Sequence, residues 1–507
     1  MFTTKKIATL ALGLCIFTKI ANAVEAGPLF ADFPLTITPG QRTEAIGPLF
    51  YSEKTESQKQ SAMPPLWSDT RDTVSDFEEF DFLYPLLTMD RFGTERRFQI
   101  GQLFSFAAGK NQREDAQRRF TLFPFYFQQR STDTNLNYTA LFPIYGHLKD
   151  RLFKDDIRFM MFPFYVETRK RDVVTDNYLF PFFHVRHGDG LTGWQAWPLI
   201  GHEQKAPTEQ KQLFDTFETI PGHDRWFVLW PFYFNVYTGL GSTNEGHEIT
   251  SIPLFSKFRS PQRDSTTVLW PFFNVIDDRG KKYHERQLPW PFIIFARGEG
   301  KTTSRVWPFY SQSHDAIQES DFYMWPIYKY NRLHSDPLDR ERTRIFFFLY
   351  SDIIQKNTET GKFLRRKDFF PFYTYHRDYN GDARLQVLAP VEPFLPNNKS
   401  IERNYSPLWS VWRAERSGVT GAQSESLFWN LYRHDEKATA EKYSLLFGLL
   451  RYQSGVDGER WRLLYIPFGR AEPPAPAPVF APLPETPVTS SVPRIEHPHY
   501  DDATRIN

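Results

Sequence analysis

Thirteen histidines are the side chains best able to hold a metal or move a proton. His184 and His187 stand three apart, which in an extended chain puts them on opposite faces and not beside one ion. His147 and His202 each come four residues after a proline, where polar residues belong to a turn in any case. Asp378-Tyr379-Asn380-Gly381-Asp382 opens like a calcium loop, but the next acid, Glu392, falls beyond the roughly twelve residues such a loop spans. Asn-Gly-Asp between two strand-like runs reads better as a hairpin turn. Gly239-Leu240-Gly241 lacks the third glycine and the helix of a nucleotide loop. There is no nucleophile elbow and no paired-carboxylate cluster. The single cysteine, Cys15, lies in an apolar N-terminal run, so an exported, cleaved chain has no thiolate for catalysis, disulfides or metal. The sequence therefore calls for no metal, no cofactor and no enzymatic activity.

Aromatic side chains make up 17% of the chain, with 49 Phe, 24 Tyr and 13 Trp. Such rings can stack on sugars or peptides. A ligand would need only a few of them, and these recur throughout. They are organised by one tripeptide: Phe123-Pro124-Phe125, Phe142-Pro143-Ile144, Phe162-Pro163-Phe164, Phe180-Pro181-Phe182, Trp197-Pro198-Leu199 and Trp230-Pro231-Phe232. It continues as Trp270-Pro271-Phe272, Trp290-Pro291-Phe292, Trp307-Pro308-Phe309, Trp325-Pro326-Ile327 and Phe370-Pro371-Phe372. Tyr or Phe usually follows. Weaker copies surround Pro48, Pro85, Pro253, Pro407 and Pro467, and Phe346-Phe347-Phe348, Phe428-Trp429 and Phe447 keep the apolar centre without proline. These motif residues are expected to be structural, with register stacking their rings into a ladder.

From Pro124 the steps to Pro143, Pro163, Pro181 and Pro198 are 19, 20, 18 and 17 residues. A fixed period of about twenty residues marks a repeat architecture. Each unit reads as β: Phe, Tyr, Trp, Val and Ile fill the centres, Gly, Asn and Asp clusters bound them, and a helix would not survive the proline. Proline cannot donate to a sheet ladder. Either it bulges the waist of one long strand, or it forms a corner between two short ones, as in a solenoid coil. The fold expected is all-β: an antiparallel meander of about twenty tandem strand units centred on the motif, closed into a large barrel, with a stacked or solenoid β-repeat as the alternative. The polar stretch Glu53–Glu79 reads as a loop, and Glu203–Gln212 as an insertion.

Both faces of the motif are apolar at its waist and polar towards its ends, as in Arg225–Tyr237 and Ile157–Thr168. That argues against a water-filled porin, whose strands need one polar face. It suits a plugged or filled barrel, or stacked sheets with both faces covered. Aromatic abundance points to a membrane partner.

Lys5 and Lys6, the run Ile7–Phe17 and Ala21-Asn22-Ala23 form a signal peptide spanning 1–23. The β-repeat domain is expected over 24–470, followed by a proline-rich tail over 471–507. With 61 Lys+Arg against 60 Asp+Glu, nothing invites nucleic acid. The reading is an exported, non-enzymatic envelope protein. It is either an outer-membrane-associated barrel acting as scaffold or transporter, or a periplasmic or surface scaffold for a protein or polysaccharide.

Overall fold

The computed structural model describes residues 29–468, apart from 102, 111–114, 212–216 and 457. The expected signal segment 1–23, Cys15 within it, and the proline-rich tail lie outside the described residues. Among these residues the chain is almost wholly antiparallel β. A single sheet holds 43 strands, nearly all paired with their neighbours in sequence. The exception is the polar insertion, where Thr208–Lys211 and Phe217–Ile220 pair as a separate two-stranded sheet. Strands are short; Tyr165–Lys170 and Val173–Tyr178 have 6 residues each.

The meander is as expected, but the place of the motif in it is not. The aromatic–Pro–aromatic tripeptide is a hairpin turn, not the waist of a strand. Phe125 donates its N–H to the Leu122 carbonyl at 2.8 Å, Phe164 to Met161 at 2.8 Å, Phe232 to Leu229 at 2.7 Å, Phe272 to Leu269 at 2.9 Å and Phe372 to Phe369 at 2.6 Å. Proline takes the third position of a type VI turn, after a cis peptide bond. No N–H is required of it there. Each repeat therefore contributes two strands. The corner reading was the nearer one, but the two strands are hairpin partners and not successive walls of a coil. The apolarity on both faces of the waist belongs to this turn. Many of these turns are entered through a residue of positive φ, among them Met161, Leu179, Leu229, Leu269 and Met324 at φ 46–50°. All five are unbranched at Cβ, which suits a conformation that disfavours branched side chains.

Glu53–Glu79 is not a loop. It holds Gln58–Met63, Trp67–Asp72 and the start of Phe77–Phe82. Its charges occupy the strand halves distant from the apolar turns, which hides the β pattern. Trp461–Phe468 is likewise a small hairpin of Gly458–Leu463 and Ile466–Phe468, and Pro407 lies in the short helix Ser406–Trp409.

Register fixes the faces. One row of cross-strand partners runs Ala140, Gly146, Phe159, Val166, Asn177 and His184, and continues strand by strand to Lys329, Arg344, Arg413 and Arg433. This row runs parallel to the motif turns, about two residues from them. On the same face, Tyr138, Ala140, Leu148, Ile157, Phe159 and Val166 form a buried apolar cluster on to which Phe142 and Phe162 fold. Glycine clears space for the ring opposite: a Cβ on Gly146 would lie 2.3 Å from Phe159, and one on Gly201 2.2 Å from Phe227.

Among the described residues no strand pairing joins the first strand to the last. The two ends meet through side chains instead. Arg433 stacks on Phe33 at 3.7 Å, Asn430 donates to Glu44 at 2.6 Å, and Thr36 donates to Ser424 at 2.6 Å. Phe33, Glu44, Ser424 and Arg433 belong to the same face, which is therefore the inner one.

Candidate functional site

In an antiparallel meander alternate connections fall on the same edge of the sheet. The two rims here differ completely. One carries the motif turns together with Ile46–Leu49, Pro64–Leu66, Leu83–Leu86, Phe346–Leu349, Phe428–Leu431 and Leu446–Leu449. None of these turns contains a charged residue. Only the long connection 388–411 on this rim carries charge. The other rim is built from turns such as Thr73–Asp76, Arg171–Asp172, Arg279–Lys282 and Asp378–Asp382. It has a few exposed apolar residues, Phe153 the most exposed of them at 94%.

The two aromatics of the motif do different things. The first rings form a ladder along the rim. Phe142, Phe162 and Phe180 follow at 5.2 and 5.9 Å, Trp197 and Trp230 at 5.6 Å, and Trp307, Trp325 and Phe347 at 5.8 and 5.1 Å. Backbone bonds connect the same turns: Phe162 N–H donates to Pro143 O, Trp230 to Pro198 and Trp325 to Pro308. Proline, unable to donate, is an acceptor in the sheet's continuation through its turns. Most second rings face solvent, although Phe182 packs on Trp197 at 5.9 Å and Phe292 on Trp307 at 5.4 Å. Phe125, Phe164, Phe232, Phe309 and Phe372 are each more than half exposed. Phe123, Trp270 and Phe272 are exposed as well, and Phe370 packs against Phe348 at 5.7 Å. Next to the rim on the outer face comes one more apolar row, with Tyr145, Met160, Tyr178, Tyr233 and Phe273 exposed. Beyond that row lie charged and polar residues such as Arg158, Glu167 and Asp176.

The seam between the two ends is the most polar buried region. Asp81, fully buried, accepts from Arg403 at 3.1 Å and from Asn404 at 3.0 Å. Arg403 also pairs with Glu79 at 2.5 Å, and Ser400 donates to Glu79 at 2.9 Å. Tyr51 donates to the Arg403 carbonyl at 3.0 Å. Arg42 bridges Glu44 and Glu53. Burial pushes the Asp81 carboxyl above the usual range, against the pull of Arg403. A cavity of about 480 Å³ lies alongside, lined in part by Tyr51, Glu53, Arg403 and Arg413. Sequence reading missed this seam, because the partners that join the two ends lie more than 300 residues apart.

Some of the histidines have carboxylate partners: His202 with Asp224 at 2.7 Å, and His223 with Glu203 at 2.8 Å. His184 and His187 do face opposite ways, paired with Asn177 and Val174. Asp378 caps its own turn by accepting from Asn380 and Asp382. Among the described residues no group of three or more His, Cys, Asp or Glu is placed to hold a metal.

No protein-family model matches the chain, and no curated protein is significantly similar to it.

Proposed function

We propose that this chain is an exported, non-enzymatic β-repeat scaffold of the cell envelope that rests its aromatic rim on the outer membrane. One observation carries the reading: every short connection on that rim is free of charge and most expose Phe, Trp, Leu or Met. A half-exposed aromatic leaves roughly 100 Å² in water, so the rim as a whole leaves on the order of 2,000 Å². Soluble monomers seldom leave apolar patches beyond about 600 Å². At a strand spacing of about 4.8 Å the rim runs roughly 200 Å along the sheet, a long, narrow shape that suits a bilayer better than a globular partner. From tip inwards the order is Leu, Phe and Trp, then Tyr, then charge, which matches the layering of a membrane interface. The apolar zone is about 10 Å deep, and strands of six residues fall short of the roughly 9–11 that cross a bilayer. The scaffold therefore sits in one leaflet.

Flotation of the purified chain with lipid vesicles tests the reading. Co-migration with the lipid is the expected result. Recovery as a detergent-free periplasmic protein that ignores vesicles would defeat it. A soluble or surface scaffold for polysaccharide is the second reading. It is favoured by an outward strip of rings on successive strands, His434, Tyr443, Tyr452 and Trp461, at 4.2, 6.3 and 4.6 Å.

A further inference from the structure

On the strands Lys301–Val306, Tyr328–Ser335 and Leu338–Ile345 the inner face is cationic without compensation. Register places Arg305, Lys329, Arg340, Arg342 and Arg344 on that face, with Lys329 directly opposite Arg344. Among the described residues none of the five has an ion pair. Arg305 reaches only the Ser311 hydroxyl, at 3.2 Å, and Arg344 only the side-chain Oδ1 of Asn331, at 3.4 Å. The Nε atoms of Arg342 and Arg344 are buried without an acceptor. Asp368, an acid on the same face two strands on, is already held by Arg366 at 2.8 Å and Thr374 at 2.6 Å.

The outer face of the same region is different. There Arg332 pairs with Asp339 at 2.9 Å, Arg365 with Asp352 at 2.8 Å, and His314 lies 3.5 Å from Asp321. Like charges directly opposite in a sheet are destabilising, and a buried donor without a partner costs more. Burial, and then Arg344, Arg305 and Arg342, hold the Lys329 ammonium below its usual range.

We propose that this patch is an anion site for a phosphate-bearing group. Guanidinium forks suit phosphate oxygens in bidentate geometry, and a cluster of them beside a lysine is what such an anion selects. The turns that join these strands to their neighbours bear Trp307, Trp325 and Phe347 on the apolar rim. Arg305, Lys329 and Arg344 stand two residues from those turns. A phospholipid headgroup at the rim would reach them. That source of the phosphate rests on the membrane reading; capture of the anion does not.

Calorimetric titration with inorganic phosphate, and flotation with phosphatidylcholine vesicles with and without phosphatidylglycerol, test the proposal on the full chain. The double variant Lys329→Gln/Arg344→Gln removes like charges and should fold at least as well as the parent, which thermal melting checks. It is expected to bind phosphate, or to gain from phosphatidylglycerol, at least about tenfold less well. Arg158→Gln, on the outer face, should change neither. Loss in the phosphate arm points to a free anion, and loss in the vesicle arm to a headgroup. A parent chain indifferent to both, or a double variant that binds both as the parent does, would overturn the site. Failure to bind neutral vesicles would count against the membrane reading alone.

Discussion

Trp230 lies with its ring 5.6 Å from that of Trp197, and its backbone N–H donates to the carbonyl of Pro198 at 2.6 Å. One residue thus joins neighbouring repeats twice, by ring and by main chain. Phe232, two residues on, has no ring stacked on it among the described residues and is 55% exposed, against 46% for Trp230. The two aromatics of a motif should therefore separate on mutation. Trp230→Ala, stripping a half-buried ring, is expected to cost about 2 kcal/mol, and Trp307→Ala about the same. Phe232→Ala should stay within about 0.5 kcal/mol. Thermal or denaturant melting of the three variants decides this. Equal costs at Trp230 and Phe232 would remove the distinction.

Arg403 is the main charge partner of two acids from the opposite end of the chain, Asp81 and Glu79. Arg403→Met keeps much of the bulk and leaves both acids uncompensated. Breaking a buried pair in this way typically costs about 3–5 kcal/mol. In a repeat array such damage stays local. Hydrogen exchange should then show Tyr51 and Phe77–Phe82 losing protection, with Tyr165–Tyr178 unchanged. Uniform loss along the sheet would show that the seam is not a separate contact.

The β meander was legible because its period is carried by residues that pleated surfaces favour, and because the turns return every ten residues or so. The place of the proline was not. Proline read as a strand residue demands a bulge, whereas proline at the third turn position demands nothing of the ladder. Two strands per repeat follow from that alone. The runs Met161–Phe164, Leu229–Phe232 and Leu269–Phe272 were visible as apolar strand waists, but only antiparallel pairing makes them turns and puts them on one rim. The seam was illegible for a different reason. Glu44 and Asn430, or Asp81 and Arg403, carry no periodic signature, and only the curl of the whole sheet brings them together.

Glu203 accepts from His223 at 2.8 Å and is paired with Arg186, with Arg225 opposite it. Burial would raise its carboxyl, but His223, Arg186 and Arg225 together hold it below the usual glutamate range. The unfolded chain then binds this proton more readily than the folded one. The stabilisation is complete above the ordinary glutamate value of 4.5 and is lost as pH falls through the lower folded value. Melting temperature against pH should fall on that acid limb, and Glu203→Gln should flatten it there. A parallel fall in the variant would assign the acid sensitivity to other groups.

The rim itself gives the sharpest test of what the protein rests on. Phe164, Phe232 and Phe309 lie on well-separated repeats, each more than half exposed and outside the ladder. Replacing all three by Asp removes little packing, so the melting temperature should move by only a few degrees. Burying each ring in lipid would have contributed about 1.5–3 kcal/mol. Three losses multiply to a fall of at least about a thousandfold in partition on to vesicles. Phe153→Asp is the control. It is the most exposed aromatic among the described residues, but it stands on the charged rim, which the reading keeps away from lipid. Flotation should lose the triple variant and retain Phe153→Asp. If both float as the parent does, the aromatic rim is not the lipid surface. If Phe153→Asp alone is lost, the molecule sits the other way up.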